Sequence, residues 1–321
     1  MAAWVAGGPA HAGGNLDYHY NFSRGRCVCL PDRRSIERSA SMQSVLSRDW
    51  VKIRRDAETG IECVHAHFRG HAYDPHDHDE MLVGVTYQGV QRFRCHRALH
   101  TSTPGRAILI EPGAVHDGHA QDDTGFTYGM LYLPQPWVGD MMRARGHNDA
   151  SVLRPSFHHT LNDNVQLRDA IHRAFVAILH AEGRLARDQR LDALLDRLAA
   201  HLQHRPASQR HDAPTQLDRA RDYLHEQRAR DIGLAELAGH AGIDRFRLTR
   251  QFSRAFGMSP HAYLVRLRLR EARRLLASGC TPAQAAMDVG FADQSHLGRW
   301  FQRAYRMTPA AYRRQCTNVL D

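Results

Sequence analysis

Between Val51 and Leu133 the apolar positions come in short runs, "GIECVHAHFRG", "MLVGVTYQGVQRFRC", "RAILIEPGAVH" and "FTYGMLYLP", separated by Gly, Pro and Asp. Runs of that length predict the strands of a small antiparallel barrel or sandwich. The Gln88-Gly89 step between two β-rich runs predicts a hairpin turn. Past Pro134 and Pro136 the period changes. Leu167, Ile171, Ala174, Phe175, Ile178 and Leu179 share one helical face, and beyond Gly183 so do Leu191, Leu194, Leu195, Leu198 and Leu202. Two helices of about 18 residues are expected there. The second stripe suits a dimer seam or packing against the β unit equally well. "HRPASQRHDAP", residues 204–214, is polar with two prolines and marks a linker, after which the periodicity is helical to about residue 316.

These patterns predict an α+β chain of two domains, and 321 residues leave room for a core in each. Residues 1–45 lack a clear period and are expected to be a disordered tail. A β domain follows over 46–140, accessory or dimerisation helices over 141–204, a linker over 205–214 and a helical domain over 215–316. No apolar run approaches the roughly 20 residues that cross a bilayer, and the start lacks a basic segment followed by an apolar one. A soluble, cytoplasmic protein is expected, with no membrane partner. The six cysteines are scattered, and Cys27-Val-Cys29 is too close a pair for an ordinary zinc half-site.

The helical domain contains a phrase written twice. "LTRQFSRAFGMSPHAY", ending at Tyr263, returns as "LGRWFQRAYRMTPAAY", ending at Tyr312, 49 positions later. Each copy follows an Ala-x-x-x-Gly, Ala238 to Gly242 and Ala286 to Gly290. The alanine lets a second helix approach the first, and the glycine supplies the left-handed turn between them. Asp244 and Asp293 occupy N-cap positions, and Leu248/Phe252 and Leu297/Phe301 would pin the second helix of each pair to a core. Ser259-Pro260 and Thr308-Pro309 start the helices that follow. The first of these has about 18 residues and a length near 27 Å at 1.5 Å per residue. Two outward-facing helices held by such a rod can enter successive major grooves of DNA, about 34 Å apart.

Charge supports that reading. From Thr215 onward there are 18 basic and 10 acidic residues, so +8 of the net +9 lies in the last third of the chain. A basic domain joined to a nearly neutral one suits a polyanionic partner. Arg245, Arg247, Arg250 and Arg254 crowd one of the outward-facing helices. A duplicated helical hairpin also builds solenoid scaffolds, but two copies carrying the basic excess point to DNA.

On these residues, and on the Gly290-Phe291 to Phe301 stretch, the segment from about 215 to 316 resembles the DNA-binding domain of the AraC/XylS family of bacterial transcription regulators. The resemblance implies two helix-turn-helix units on promoter DNA, commonly with activation through RNA polymerase. By position it places Phe246, Thr249 and Arg250, with Arg245 beside them, where the first unit meets DNA. In the second unit the matching positions are Gln294, Ser295, Gly298 and Arg299. Arginine reads guanine and glutamine reads adenine in the major groove. Arg254 and Arg303, near the helix ends, suit phosphate, and Arg268 suits an ion pair inside the domain. Two departures stand out: Gly298 removes a side chain from a contact position, and Arg306 stands where Gly257 closes the first recognition helix.

The front stretch "PHDHDEMLVGVTYQG", with "PGRAILIEPGAVHDG" after it, resembles the cupin-type sensory domain that precedes this kind of DNA-binding domain. His76, His78 and His116 match the histidines of metal-binding cupins in type and order, but Glu80 comes too early for the glutamate. Three imidazoles can hold a divalent metal with an open position. The alternative, a small-molecule pocket lined by His76, His78, Tyr87, Phe93, His116, Tyr128 and Met130, is the expectation, with no cofactor. The chain therefore reads as a ligand-responsive DNA-binding transcription regulator, an activator and not an enzyme, with promoter DNA, RNA polymerase, a small-molecule effector and a second copy of itself as partners. A metal-dependent cupin enzyme with a helical appendage is the alternative.

Overall fold

A computed structural model of the chain describes residues 19–21, 28–30, 48–145, 153–206 and 215–317. The 1–45 tail falls outside these apart from a short antiparallel pair, β1 (His19–Asn21) with β2 (Val28–Leu30). The front domain is built from two antiparallel sheets. One has six strands in the order β13 (Leu161–Asn162), β9 (Ala107–Ile110), β6 (Met81–Gly89), β11 (Phe126–Leu133), β4 (Glu62–Phe68), β3 (Trp50–Arg55). The other runs β5 (His71–His76), β10 (His116–Ala120), β7 (Gln91–Cys95), β8 (Ala98–Ser102).

The larger sheet is covered on both faces, which explains why every residue of β4 is buried. Its inner face packs Val64, Ala66, Leu82, Ile108, Tyr128 and Met130 against Tyr73, Phe93 and Cys95 of the smaller sheet. Its outer face packs Cys63, Val83, Val85, Tyr87 and Leu131 under three helices, α1 (Gln135–Ala144), α2 (Val165–Leu179) and α3 (Arg184–Ala199). Leu191, Leu194 and Leu198 of α3 belong to that outer core. Their stripe is buried inside the chain, so the dimer-seam alternative loses its surface.

Two expectations need correction. Gln88-Gly89 is not a hairpin turn, because β6 and β7 belong to different sheets. Gly89, at φ +68°, turns the chain from one sheet into the other where its backbone packs on Gly125, and a Cβ would stand 1.9 Å from the Gly125 carbonyl oxygen. The polar linker also starts late: β14 (Leu202–Pro206) pairs with β12 (Leu153–Phe157), while 207–214 lie outside the described residues.

The helical half follows. Helices α4 (Gln216–Glu226), α5 (Leu234–Ala241) and α6 (Arg245–Phe256) pack with the start of α7 (Pro260–Ala277) around Leu237, Leu248, Phe252 and Tyr263. The end of α7 packs with α8 (Pro282–Val289), α9 (Gln294–Tyr305) and α10 (Pro309–Thr317) around Leu276, Val289, Leu297, Phe301 and Tyr312. Gly242 (φ +66°) and Gly290 (φ +88°) close α5 and α8 in the left-handed region. The Asp244 carboxylate accepts from the Phe246 and Arg247 amides, and that of Asp293 from His296. Among the described residues no helix is long and apolar enough to cross a membrane.

Candidate nucleic-acid interface and effector site

Leu248/Phe252 and Leu297/Phe301 face inward, so the opposite sides of α6 and α9 are turned to solvent. Arg245, Phe246, Arg247, Arg250 and Arg254 are exposed on α6, and Gln294, Ser295, Arg299 and Arg303 on α9; Thr249 and Gly298 are half-buried. Phe246 is 70% exposed, far more than a core phenylalanine tolerates, and the Arg245 guanidinium stacks 4.7 Å from its ring. Among the described residues Arg245, Arg247, Arg250, Arg299 and Arg303 form no ion pair, so their charge is free for a polyanion. Thr249 commits its hydroxyl to the Arg245 carbonyl, 3.0 Å away. Among the described residues a Cβ on Gly298 would meet nothing within 4 Å, so this position faces open space. Arg268 has carbonyl partners rather than an acid: it donates to the Arg228 and Arg230 oxygens, each at 2.7 Å.

The second candidate site lies where the front domain meets the second helix-turn-helix unit. A cavity of about 50 Å³ is lined on the barrel side by residues that include His76, Phe93, His116, Tyr128 and Met130, and on the other by Arg273, Ala304, Tyr305, Arg306 and Tyr312. Five of the seven expected ligand residues are thus brought together. His78 lies behind the lining, its ring 4.8 Å from that of His76 and 5.4 Å from that of His116. Tyr87 does not belong there. Alternation along β6 turns it to the outer face, where its hydroxyl lies 3.0 Å from Nδ1 of His172 on α2.

Sequence reasoning missed the side chains that join the two halves. Arg266, Arg270 and Arg273 recur at i, i+4 and i+7 on one face of α7, and the barrel answers with acids. Arg273 donates to Glu62 at 2.6 Å and to Glu80 at 3.0 Å, with both Arg273 and Glu62 buried. Burial opposes the charge on Arg273, but Glu62 and Glu80 hold it firmly protonated. Arg270 Nε reaches Asp79 at 2.9 Å. Arg266 Nε lies 2.9 Å from Asp77 Oδ1, off the hydrogen-bonding line, so that contact is ionic only. Burial raises the pKa of Asp77, with Arg266 and Arg270 pulling the other way. Tyr312 donates to Glu62 at 2.6 Å, and the Gln315 side chain accepts from the Ile53 amide at 2.6 Å. Two signals were present in the sequence: the arginine spacing, and the alternation His76-Asp77-His78-Asp79-Glu80.

With this geometry in hand, the comparisons with known proteins are specific. Residues 58–208 match the AraC-like ligand binding domain, and residues 237–315 match a helix-turn-helix domain. The HTH-type transcriptional regulator YbfI of Bacillus subtilis is 24% identical over 226 residues, covering 69% of this chain and 80% of that protein. The MmsAB operon regulatory protein of Pseudomonas aeruginosa is 24% identical over 253 residues, 77% of this chain and 79% of its own. In fold, the chain is similar to the crystal structure of ToxT from Vibrio cholerae bound to an unsaturated fatty acid, with a TM-score of 0.52, 12% identity and coverage of 83% of this chain and 99% of that one.

Proposed function

Because the chain belongs to the AraC family of transcription regulators, with a ligand-binding domain ahead of a helix-turn-helix DNA-binding domain, we propose that it is a cytoplasmic, non-catalytic activator whose small-molecule effector acts at the seam between the two. Residues 46–204 would sense and 215–316 would read. The observation that carries this reading is the shared cavity: barrel residues form one wall and Tyr305, Arg306 and Tyr312 of the second unit form the other. Anything that fills or widens this space acts on how that unit is held. A ligand can shift the arrangement only through its different affinity for the two states.

Size sharpens the proposal. Small-molecule pockets usually measure about 300–1,000 Å³, whereas this cavity measures about 50 Å³. An effector as large as the fatty acid bound by ToxT would have to part the second unit from the barrel. Base reading is assigned to Arg245, Phe246, Arg247, Thr249 and Arg250 of the first unit and to Gln294, Ser295 and Arg299 of the second, with phosphate for Arg254 and Arg303. RNA polymerase and a second copy of the chain are the further partners; a dimer would use a surface other than the buried stripe of α3.

Footprinting of promoter fragments with the purified chain tests this reading, with and without candidate metabolites. Protection of two adjacent major grooves is expected, with affinity falling on a log-log salt plot by about 0.9 per neutralised phosphate. Binding that ignores sequence, or that no metabolite alters, counts against it.

A further inference from the structure

His76 ends β5 and His116 begins β10, and the two face each other in register. His78 follows two residues after His76, and one ring nitrogen of each of the three lies within 4.8 Å of the others. All three are buried. We propose that His76, His78 and His116 bind a divalent transition-metal ion, and that its loading is linked to docking of the second helix-turn-helix unit on the barrel. The linkage rests on the regulatory reading above; the metal site does not.

The hydrogen bonds around the three rings fit an ion between them. Nδ1 of His76 lies 2.8 Å from the Asp74 carbonyl oxygen, and Nδ1 of His116 lies 3.0 Å from that of Ala114. A carbonyl only accepts, so each Nδ1 carries the proton and each Nε2 keeps its lone pair, the tautomer a metal ligand needs. Among the described residues neither ring nitrogen of His78 has a hydrogen-bond partner, although the residue is only 3% exposed. Leaving a buried polar group unpaired is unfavourable, and an ion beside it would remove that cost.

The donor set selects the ion. Three imidazoles without a carboxylate suit zinc, cobalt, nickel or iron(II), and suit calcium or magnesium poorly. The nearby acids are otherwise engaged, since Asp77, Asp79 and Glu80 face Arg266, Arg270 and Arg273. That engagement supplies the linkage. Histidines and acids alternate along one segment, so drawing His76 and His78 onto an ion moves the carboxylates that α7 grips. Tyr305, from the end of the second recognition helix, places its ring 6.1 Å from the rings of both His76 and His78.

The test uses the full chain stripped with a chelator and titrated with Co²⁺. The site predicts one cobalt per chain and visible d–d absorption of a low-symmetry imidazole complex. His78→Ala and His116→Ala should each weaken binding at least 100-fold, while His71→Ala and His119→Ala, on the same two strands, should leave it unchanged; circular dichroism checks that each variant is folded. Tyr305→Ala should keep the stoichiometry and shift the affinity by about tenfold. Substoichiometric cobalt on the folded wild-type chain overturns the site, and equal loss in all four histidine variants does the same. An unchanged affinity in Tyr305→Ala overturns the linkage. Absence of sequence-dependent DNA binding in both metal states defeats the regulatory reading instead, and the cobalt spectrum tells that failure apart.

Discussion

The two helix-turn-helix units descend from one phrase but are held differently. In the first, α6 closes on Gly257 and carries Arg245, Arg247, Arg250 and Arg254 into solvent, touching the front domain where Arg97 donates to the Arg254 carbonyl at 3.1 Å. In the second, α9 has a glycine, Gly298, at a position expected to meet DNA and closes on Arg306, which reaches Asp49 at 3.1 Å, while Tyr312 and Gln315 of α10 bond Glu62 and Ile53. Duplication removes the need for both copies to do the same work. In the reading proposed above, the first unit is mainly a reader, and the second gives up some reading to become the wall through which the sensor is felt.

The largest effect on this contrast should come from Arg273→Ala. It leaves Glu62 and Glu80 without their shared cation in a buried site, and breaking such a pair costs about 3–5 kcal/mol. Urea denaturation should show this loss, and proteolysis of the folded variant should release the second unit from the barrel with α6 intact. A loss under about 1 kcal/mol would mean that the arginine does not hold the seam.

Acid should come next. His65 and His172 lie between the large sheet and α2, and burial lowers their pKa values to about 3 and about 4, from 6.5. Both are depressed in the folded state, so the stability they confer is complete above the unfolded value near 6.5 and is lost as pH falls toward the folded values. In the helical half, partial desolvation lowers His225 as well, but that residue is exposed. Hydrogen exchange between pH 7 and pH 4.5 should therefore rise first in the front domain, then in α9 and α10 anchored to it, and last in α6. The reverse order would break the comparison.

On DNA, Arg250→Ala should cost about 1–3 kcal/mol on the best site and relax preference at one base pair. Arg299→Ala should cost less, because its unit is also held by the barrel. Equal, sequence-independent losses for both, measured by competition binding, would reassign both arginines to the backbone and erase the functional difference between the units.

Much of this was legible in the chain, for reasons that differ by region. The duplicated phrase carries its caps and turns locally, so Asp244, Gly242, Asp293 and Gly290 announce the helices from a few neighbouring residues. The sandwich was legible as strands but not as pairings. Gly89 looks like a hairpin turn until the Gly125 backbone, 36 residues on, is known to press against it. Tyr87 was misplaced because strand alternation gives two faces without saying which one a helix will cover. The seam was hidden most deeply: Glu62, Glu80, Arg273 and Tyr312 meet across more than 190 residues, and although the arginine spacing along α7 and the acids beside His76 and His78 are each visible locally, neither says that it faces the other.

The smallest effect isolates the contrast itself. Gly257 and Arg306 occupy equivalent cap positions, both left-handed, at φ +74° and +57°. Standing there costs a side chain about 1 kcal/mol. Among the described residues nothing lies within 4 Å of a Cβ on Gly257, so Gly257→Arg should lose about that much through the dihedral angle alone. Arg306 offsets some of the same cost through Asp49, a half-exposed pair of the kind that contributes about 0–1 kcal/mol. Arg306→Gly should therefore be close to neutral, relieving the backbone while losing the pair, and Arg306→Ala should be the worse of the two because it loses the pair and keeps the strained angle. Thermal melts of the three variants, with Asp49→Ala to measure the pair alone, decide it. If Arg306→Ala is as stable as the wild-type chain, the Asp49 contact contributes nothing and the second cap is merely a tolerated substitution, with no role in the docking.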